Sequence, residues 1–300
     1  MVITGIKQNK MNKVTKVMSI SFITNVLLSG LKIGVGLIGH SSAIIADGVH
    51  SFSDLMTDIV AIFGGHMSHK PADLKHPYGH GKIEYLTSIA IGTVVVLIAL
   101  MLIISAVSRK PVISSPIVIF VTLITIVSKY VLATYIAKKG RLYDNAILVA
   151  SGRESMADVL SSIFVLASAI AMQMTKYAHI LIYSDIVATV VVGLFILRIG
   201  YTILKDNVSV ILEEQEINPE ITDKINDLIL KHQSVTKVDS LVILKYGPYY
   251  QLIGEIKMNG DLSLQETHHH VDLIEHKLRR SNERIKYITI HVSPSIEKSR

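Results

Sequence analysis

Six apolar stretches, each about the length an α-helix needs to cross a bilayer, occupy most of the first 205 residues of this 300-residue chain. They run approximately 15–38, 42–66, 84–108, 112–136, 146–173 and 178–203, and the third, from Tyr85 to Ser108, carries no charge. A hydrocarbon core offers the backbone no water, so roughly 20 apolar residues in a row must form a helix whose own carbonyls satisfy its amides. The fold class expected for this part is therefore a multi-span bundle of six transmembrane helices. Composition agrees: half of the residues are hydrophobic, 18% are charged and the mean hydropathy is +0.46, a poor balance for a soluble domain of this size.

Charge sets the expected orientation. Lys7, Lys10, Lys13 and Lys16, then Lys70, Lys75 and Lys82, then Lys138, Lys139 and Arg141, and finally Lys205 fall on one side, against Arg109, Lys110 and Lys176 on the other. The positive-inside rule places both termini in the cytoplasm. The chain thus divides into a cytoplasmic N-terminal tail (1–14), a transmembrane domain (15–208) and a cytoplasmic domain (209–300). The polar start lacks a signal-peptide pattern and is expected to stay unprocessed. The net charge of +6 sits beside apolar stretches and not in one stripe, which points to topology and anionic membrane lipids, not to nucleic acid.

The last 90 residues or so change character. A helical pattern at 218–232, strands at about 236–245 and 250–258, a helix at 263–280 and a strand at 285–293 give the order αββαβ, which fits a small α+β ferredoxin-like domain.

Ionisable residues inside the spans carry the chemistry. Asp47, His50, Asp54 and Asp58 lie within an otherwise apolar second span, and at about 100° per residue they fall in an arc of roughly 80°, one polar stripe. Glu154 and Asp158 in the fifth span are four residues apart and share a face. Packed together, the two helices would offer His50, Asp54, Glu154 and Asp158 to one cation, whose double charge offsets the repulsion among three carboxylates. Asp47 or Asp58 taken singly is as readily a helix–helix hydrogen bond. Asn25, Lys32 and Asp185 stand isolated, and packing or snorkelling accounts for them. Cysteine is absent, so disulfides and thiolate metal sites are excluded.

The run Ser41-Ser42-Ala43-Ile44-Ile45-Ala46-Asp47-Gly48-Val49-His50-Ser51-Phe52-Ser53-Asp54, followed by Lys70-Pro71-Ala72-Asp73 and His76-Pro77-Tyr78-Gly79-His80-Gly81-Lys82-Ile83-Glu84, resembles the cation diffusion facilitator family of divalent metal/proton antiporters. The resemblance covers almost the whole chain. It implies that the pairs on spans two and five form the transport site and that the protein works as a homodimer. It also implies a contact of Lys82 with Glu213 or Glu214, and cytoplasmic metal positions at Asp239, Glu255, His268 and His291. Zinc members of the family usually carry His where this chain has Glu154, which hardens the site toward Mn²⁺ or Fe²⁺. By family frequency Zn²⁺ stays first, with Mn²⁺ or Fe²⁺ close behind.

Between spans two and three, Asp73, His76 and His80 sit in a turn shaped by Pro77 and Gly79 and could converge on a metal; alternatively the histidines only shape the loop. His268, His269 and His270 point about 100° apart on a helix and cannot make one three-ligand site. His66 and His69, at the inner mouth of span two, suit an interface better than a ligand set.

The expected activity is efflux of a divalent metal by proton antiport across a bacterial inner membrane, with the metal as substrate and as a regulator of the tail, and with no prosthetic group. No Gly-x-x-x-x-Gly-Lys-Ser/Thr loop offers direct ATP drive, and no His-Glu-x-x-His offers an intramembrane protease. The competing class is a membrane-bound metal sensor or scaffold, which would use the tail histidines and would not need acidic stripes in two spans.

Overall fold

The computed structural model describes residues 2–68, 70–143 and 145–295, without the side chains of residues 2–12, 57–66, 146 and 147. His69 lies outside the described residues, as do the side chains of Asp58 and His66. Six long helices come first: α1 (Val2–Ile38), α2 (Ser42–Ser68), α3 (Ile83–Ser108), α4 (Ile117–Leu142), α5 (Ala146–Gln173) and α6 (Ser184–Ile211). Among the described residues, five stretches, in α1 and α3 to α6, are long and apolar enough to cross a membrane by length and composition. The remaining long helix, α2, is 27 residues long and carries Asp47, Asp54 and Asp58 in its sequence.

The bounds of three helices depart from the sequence reading. The N-terminal segment continues span one as helix from Val2. Span four begins at Ile117 and not near 112, because Pro111 and Pro116 hold the residues before them out of the helical region. Before α6, His179–Tyr183 forms a 3₁₀ turn, and α6 itself runs past Lys205 and Asp206 to Ile211.

The chain forms two units, residues 1–59 with 91–202, and residues 60–90 with 203–300. The first unit packs around Ala43, Ile44, Ala46, Ala99, Val118, Val165, Ala169, Ala188 and Ile196. Small residues dominate because in an apolar solvent close backbone approach, not exclusion of water, holds helices together. At the α4–α5 crossing, a Cβ on Gly152 would stand 2.9 Å from the Ala137 amide, so the bare position lets these helices meet.

The second unit carries α7 (Pro219–Leu230), β1 (Val235–Tyr246), β2 (Tyr249–Asn259), α8 (Leu264–Ser281) and β3 (Ile285–Ser295). The sheet order is β1-β2-β3, with β1/β2 antiparallel across the Gly247-Pro248 turn and β2/β3 parallel. A parallel neighbour needs a crossover, which α8 supplies. Tyr250, Leu252, Ile256 and Met258 alternate along β2 into a core with Ile225, Ile229, Ile274 and Leu278 from the two helices. The αββαβ order is the expected ferredoxin-like one, and each strand lies within two residues of its expected bounds.

Candidate metal site among the membrane helices

The spacing that aligns His50 with Asp54 on α2 also turns both toward α5, where Asp158 meets them. One ligand atom from each of His50, Asp54 and Asp158 lies within 4.8 Å of the other two. His50 Nε2 is 3.5 Å from Asp158 Oδ1, while the buried His50 Nδ1 has no hydrogen-bond partner. The three line a cavity of about 510 Å³ between α2, α5 and α6, whose wall is mostly apolar and includes Phe164, Val192, Phe195 and Ile199. Glu154, one turn before Asp158, lines the same cavity, but its side chain is exposed and outside the converging trio. Three of the four expected ligands are therefore gathered, and the fourth stands at the cavity wall.

Two lysines complete the arrangement. Lys129 on α4, 2% exposed, places Nζ 2.6 Å from Asp158 Oδ2 and 3.5 Å from Ser51 Oγ. Lys32 on α1, 1% exposed, places Nζ 2.7 Å from Asp47 Oδ2, donates to Ser162 Oγ at 2.9 Å and stands 3.5 Å from Ser51 Oγ. Asp47 also accepts from Ser161 Oγ (2.9 Å) and Ser162 Oγ (2.7 Å). A buried charge survives only when paired and hydrogen-bonded. Lys32 is accordingly not isolated, and Asp47 takes the helix–helix bonding role that was the alternative to a ligand.

Asp185 has a structural task as well. From the start of α6 it accepts from Ser41 Oγ at 2.5 Å, the Ser42 amide at 2.8 Å and the Ala43 amide at 3.4 Å, capping α2 from another helix.

A second acid–histidine group lies in the second unit. Asp73, His76 and His80 also bring one ligand atom each within 4.8 Å. Asp73 Oδ1 accepts from the backbone amides of His76 (2.7 Å) and Lys75 (2.9 Å) and lies 3.1 Å from His76 Nδ1, while Oδ2 is 3.5 Å from His80 Nε2. The His76 amide first, with the His76 ring and the Lys75 amide, holds the Asp73 carboxyl below the usual range. The loop is fastened to the sheet: Tyr287 donates to the Tyr78 carbonyl at 2.7 Å, and Lys82 Nζ meets Glu213 at 3.5 Å, the contact expected from the resemblance. Gly247, at φ +60°, could carry no side chain because its Cβ would collide with the Gly81 carbonyl.

The four tail positions do not come together within one chain. Asp239 is held by Lys237 (2.7 Å) and Lys257 (2.8 Å), which keep its carboxyl below the usual range. Glu255 accepts from Ser293 Oγ at 3.0 Å and faces His291 across the β2/β3 pairing. His268 lies on the α8 surface, 3.5 Å from Asp272. His270 turns instead toward the buried His232, their ring centroids 5.2 Å apart, so His268 and His270 do not share one site.

Residues 18–212 match the family model described as the cation efflux transmembrane domain, and residues 217–295 the one described as the cation efflux protein cytoplasmic domain. The chain belongs to the cation diffusion facilitator family. Among similar proteins, the manganese efflux system protein MneP of Bacillus subtilis is 26% identical over 287 residues, covering 94% of this chain and 96% of the relative. MneS of the same organism, also a manganese efflux system protein, is 24% identical, with 93% and 95% covered. The cadmium, cobalt and zinc/H(+)-K(+) antiporter of Bacillus velezensis is 24% identical, with 92% and 88% covered. Among solved structures, a MamM CTD in a nickel form matches 26% of this chain and all of its own length, at 11% identity and a TM-score of 0.25. Membership in the cation diffusion facilitators makes this an integral membrane protein that moves divalent metal cations out of a compartment, and not an enzyme.

Sequence reasoning missed Lys129. The signal was present, since a lysine near the middle of a span is costly wherever it lacks a specific partner.

Proposed function

We propose that this cation diffusion facilitator exports a divalent transition metal, Mn²⁺ before Zn²⁺ or Fe²⁺, from a site made by His50, Asp54 and Asp158, with Glu154 as the fourth ligand. The observation that carries this reading is the convergence of an imidazole and two carboxylates on one apolar-walled cavity among the membrane helices. One nitrogen and up to three carboxylate groups form a hard donor set, which favours Mn²⁺ over Zn²⁺ relative to a two-histidine site. Two manganese efflux proteins among the relatives support the same order.

Metal and protons compete for these donors, because a carboxylate or imidazole that binds metal must give up its proton. Alternating exposure of the site to the two sides then couples metal exit to proton entry without covalent chemistry. In this reading both termini are cytoplasmic in a bacterial inner membrane, and two copies meet through their cytoplasmic domains. Asp73, His76 and His80 form a second metal position on the loop. Asp239, Glu255, His268 and His291 serve regulation only if a partner copy supplies the missing donors. A non-transporting sensor is disfavoured because it has no use for a buried acid cluster among the spans.

Proteoliposomes under an imposed pH difference test the reading with a panel of Zn²⁺, Mn²⁺, Fe²⁺, Co²⁺ and Cd²⁺. Wild-type protein moves Mn²⁺ with counterflow of protons, and His50→Ala and Asp54→Ala lose both fluxes. Full transport by Asp54→Ala rules out the site.

A further inference from the structure

We propose that Lys129 is a positioning and affinity-limiting residue: its fixed ammonium holds one oxygen of Asp158 so that the metal receives only the other, and so keeps the site weak enough to let its cargo go. The proposal rests on the metal site proposed above. Nζ of Lys129 stands 2.6 Å from Oδ2 of Asp158, whereas the oxygen that faces His50 is Oδ1. The two oxygens of one carboxylate thus point at two different cations, one permanent and one to be carried.

The lysine is buried. It is 2% exposed, and among the described residues it also donates to Ser51 Oγ at 3.5 Å, a hydroxyl that Lys32 approaches equally. Lys32 is itself committed to Asp47, Ser162 and α5, so the two ammonium groups block each other's retreat through Ser51. A permanent positive charge beside a ligand also repels an incoming divalent ion. Without Lys129 the site would attract that ion more strongly, would offer it both Asp158 oxygens, and would release it more slowly. A carrier needs binding favourable enough to load and weak enough to unload, and an immobile ammonium at hydrogen-bond distance from a ligand supplies that limit.

Mn²⁺ binding to the purified full-length protein at one fixed pH, with Mn²⁺ flux in proteoliposomes, tests this on Lys129→Met, Lys129→Gln and Asp54→Asn. Both lysine variants are expected to bind Mn²⁺ about tenfold or more tightly, close to 1.4 kcal/mol per decade, with KM and maximal rate falling together. A lysine that merely supports the fold would instead weaken binding when removed, so unchanged or weaker affinity in the folded variants overturns the proposal. Asp54→Asn separates the two levels: if it binds as wild type, the metal site itself is wrong; if it binds weakly while Lys129→Met does not tighten, only the role of Lys129 fails. Should neither lysine variant fold, the Mn²⁺-loaded structure of the wild type decides. The metal on Oδ1 with Lys129 still bonded to Oδ2 supports the proposal, and a displaced ammonium with metal on both oxygens refutes it.

Discussion

The two units of this molecule use the same side chains in opposite ways. In the membrane unit, Asp47, Asp158 and Asp185 are at most 5% exposed, and each is committed to named donors on other helices. In the second unit, Asp73 and Glu266 lie at the surface and bond mostly to amides or hydroxyls within three residues, while Asp239 takes two lysines from the sheet surface. A surface carboxylate that loses its partner falls back on water. A buried one has no such recourse, so its partner must be built in. The difference explains why acids buried in the spans depend on tertiary structure, whereas surface acids such as Asp73 and Glu266 organise local turns.

The contrast is sharpest at Asp158, which serves both the cavity and the buried network. Asp158→Asn is expected to abolish Mn²⁺ flux in proteoliposomes, by more than about a hundredfold, and to strand Lys129 at a cost of about 3–5 kcal/mol in denaturant titration of the purified protein. Asp47→Asn strands Lys32 in the same way and should cost a similar amount of stability, with the metal affinity of the remaining folded protein kept within about threefold of wild type. A large loss of affinity there would move Asp47 into the site and break the division between structural and ligand carboxylates. Asp185→Ala leaves the first amides of α2 without their acceptor, and a smaller loss of about 1–3 kcal/mol is expected by the same titration.

Glu266 gives the smallest effect and the matching control in water. At the start of α8 it accepts from the Ser263 hydroxyl at 2.7 Å and from the Ser263 amide at 2.9 Å, in that order the main reasons its carboxyl lies below the usual range. A carboxylate depressed in the folded state stabilises it fully above its unfolded pKa, about 4.3, and the contribution fades as pH falls through the lower folded value. Amide protection in the first turn of α8, followed by hydrogen exchange, should therefore decline only below that range, and Glu266→Gln should abolish the pH dependence. Protection that declines already near neutral pH would tie the cap to another group.

Periodicity and length make most of the architecture legible in the chain itself. The spans, the αββαβ order and the aligned stripe of His50 and Asp54 depend on local spacing, and spacing is written directly in the chain. What escaped depends on which helices touch. Lys32 looked isolated because its partner is 15 positions away on the next helix, and Lys129 drew no attention because its partner is on the helix after it. Glu154 illustrates the converse: four residues from Asp158 guarantees a shared face, yet the turn of the side chain decides whether it reaches the trio. The Lys82 contact to Glu213 was legible only through resemblance to the family, since nothing in the spacing of these residues requires it.

The meeting of Gly81 with Gly247 has a bearing on engineering. A Cβ on Gly247 would collide with the Gly81 carbonyl and one on Gly81 with the Tyr246 carbonyl, so the loop and the hairpin fit only while both positions stay bare. Anyone building chimaeras from these proteins should therefore move loop and sheet as one cassette; a cytoplasmic domain transplanted alone would meet a foreign loop where even a single methyl group has no room.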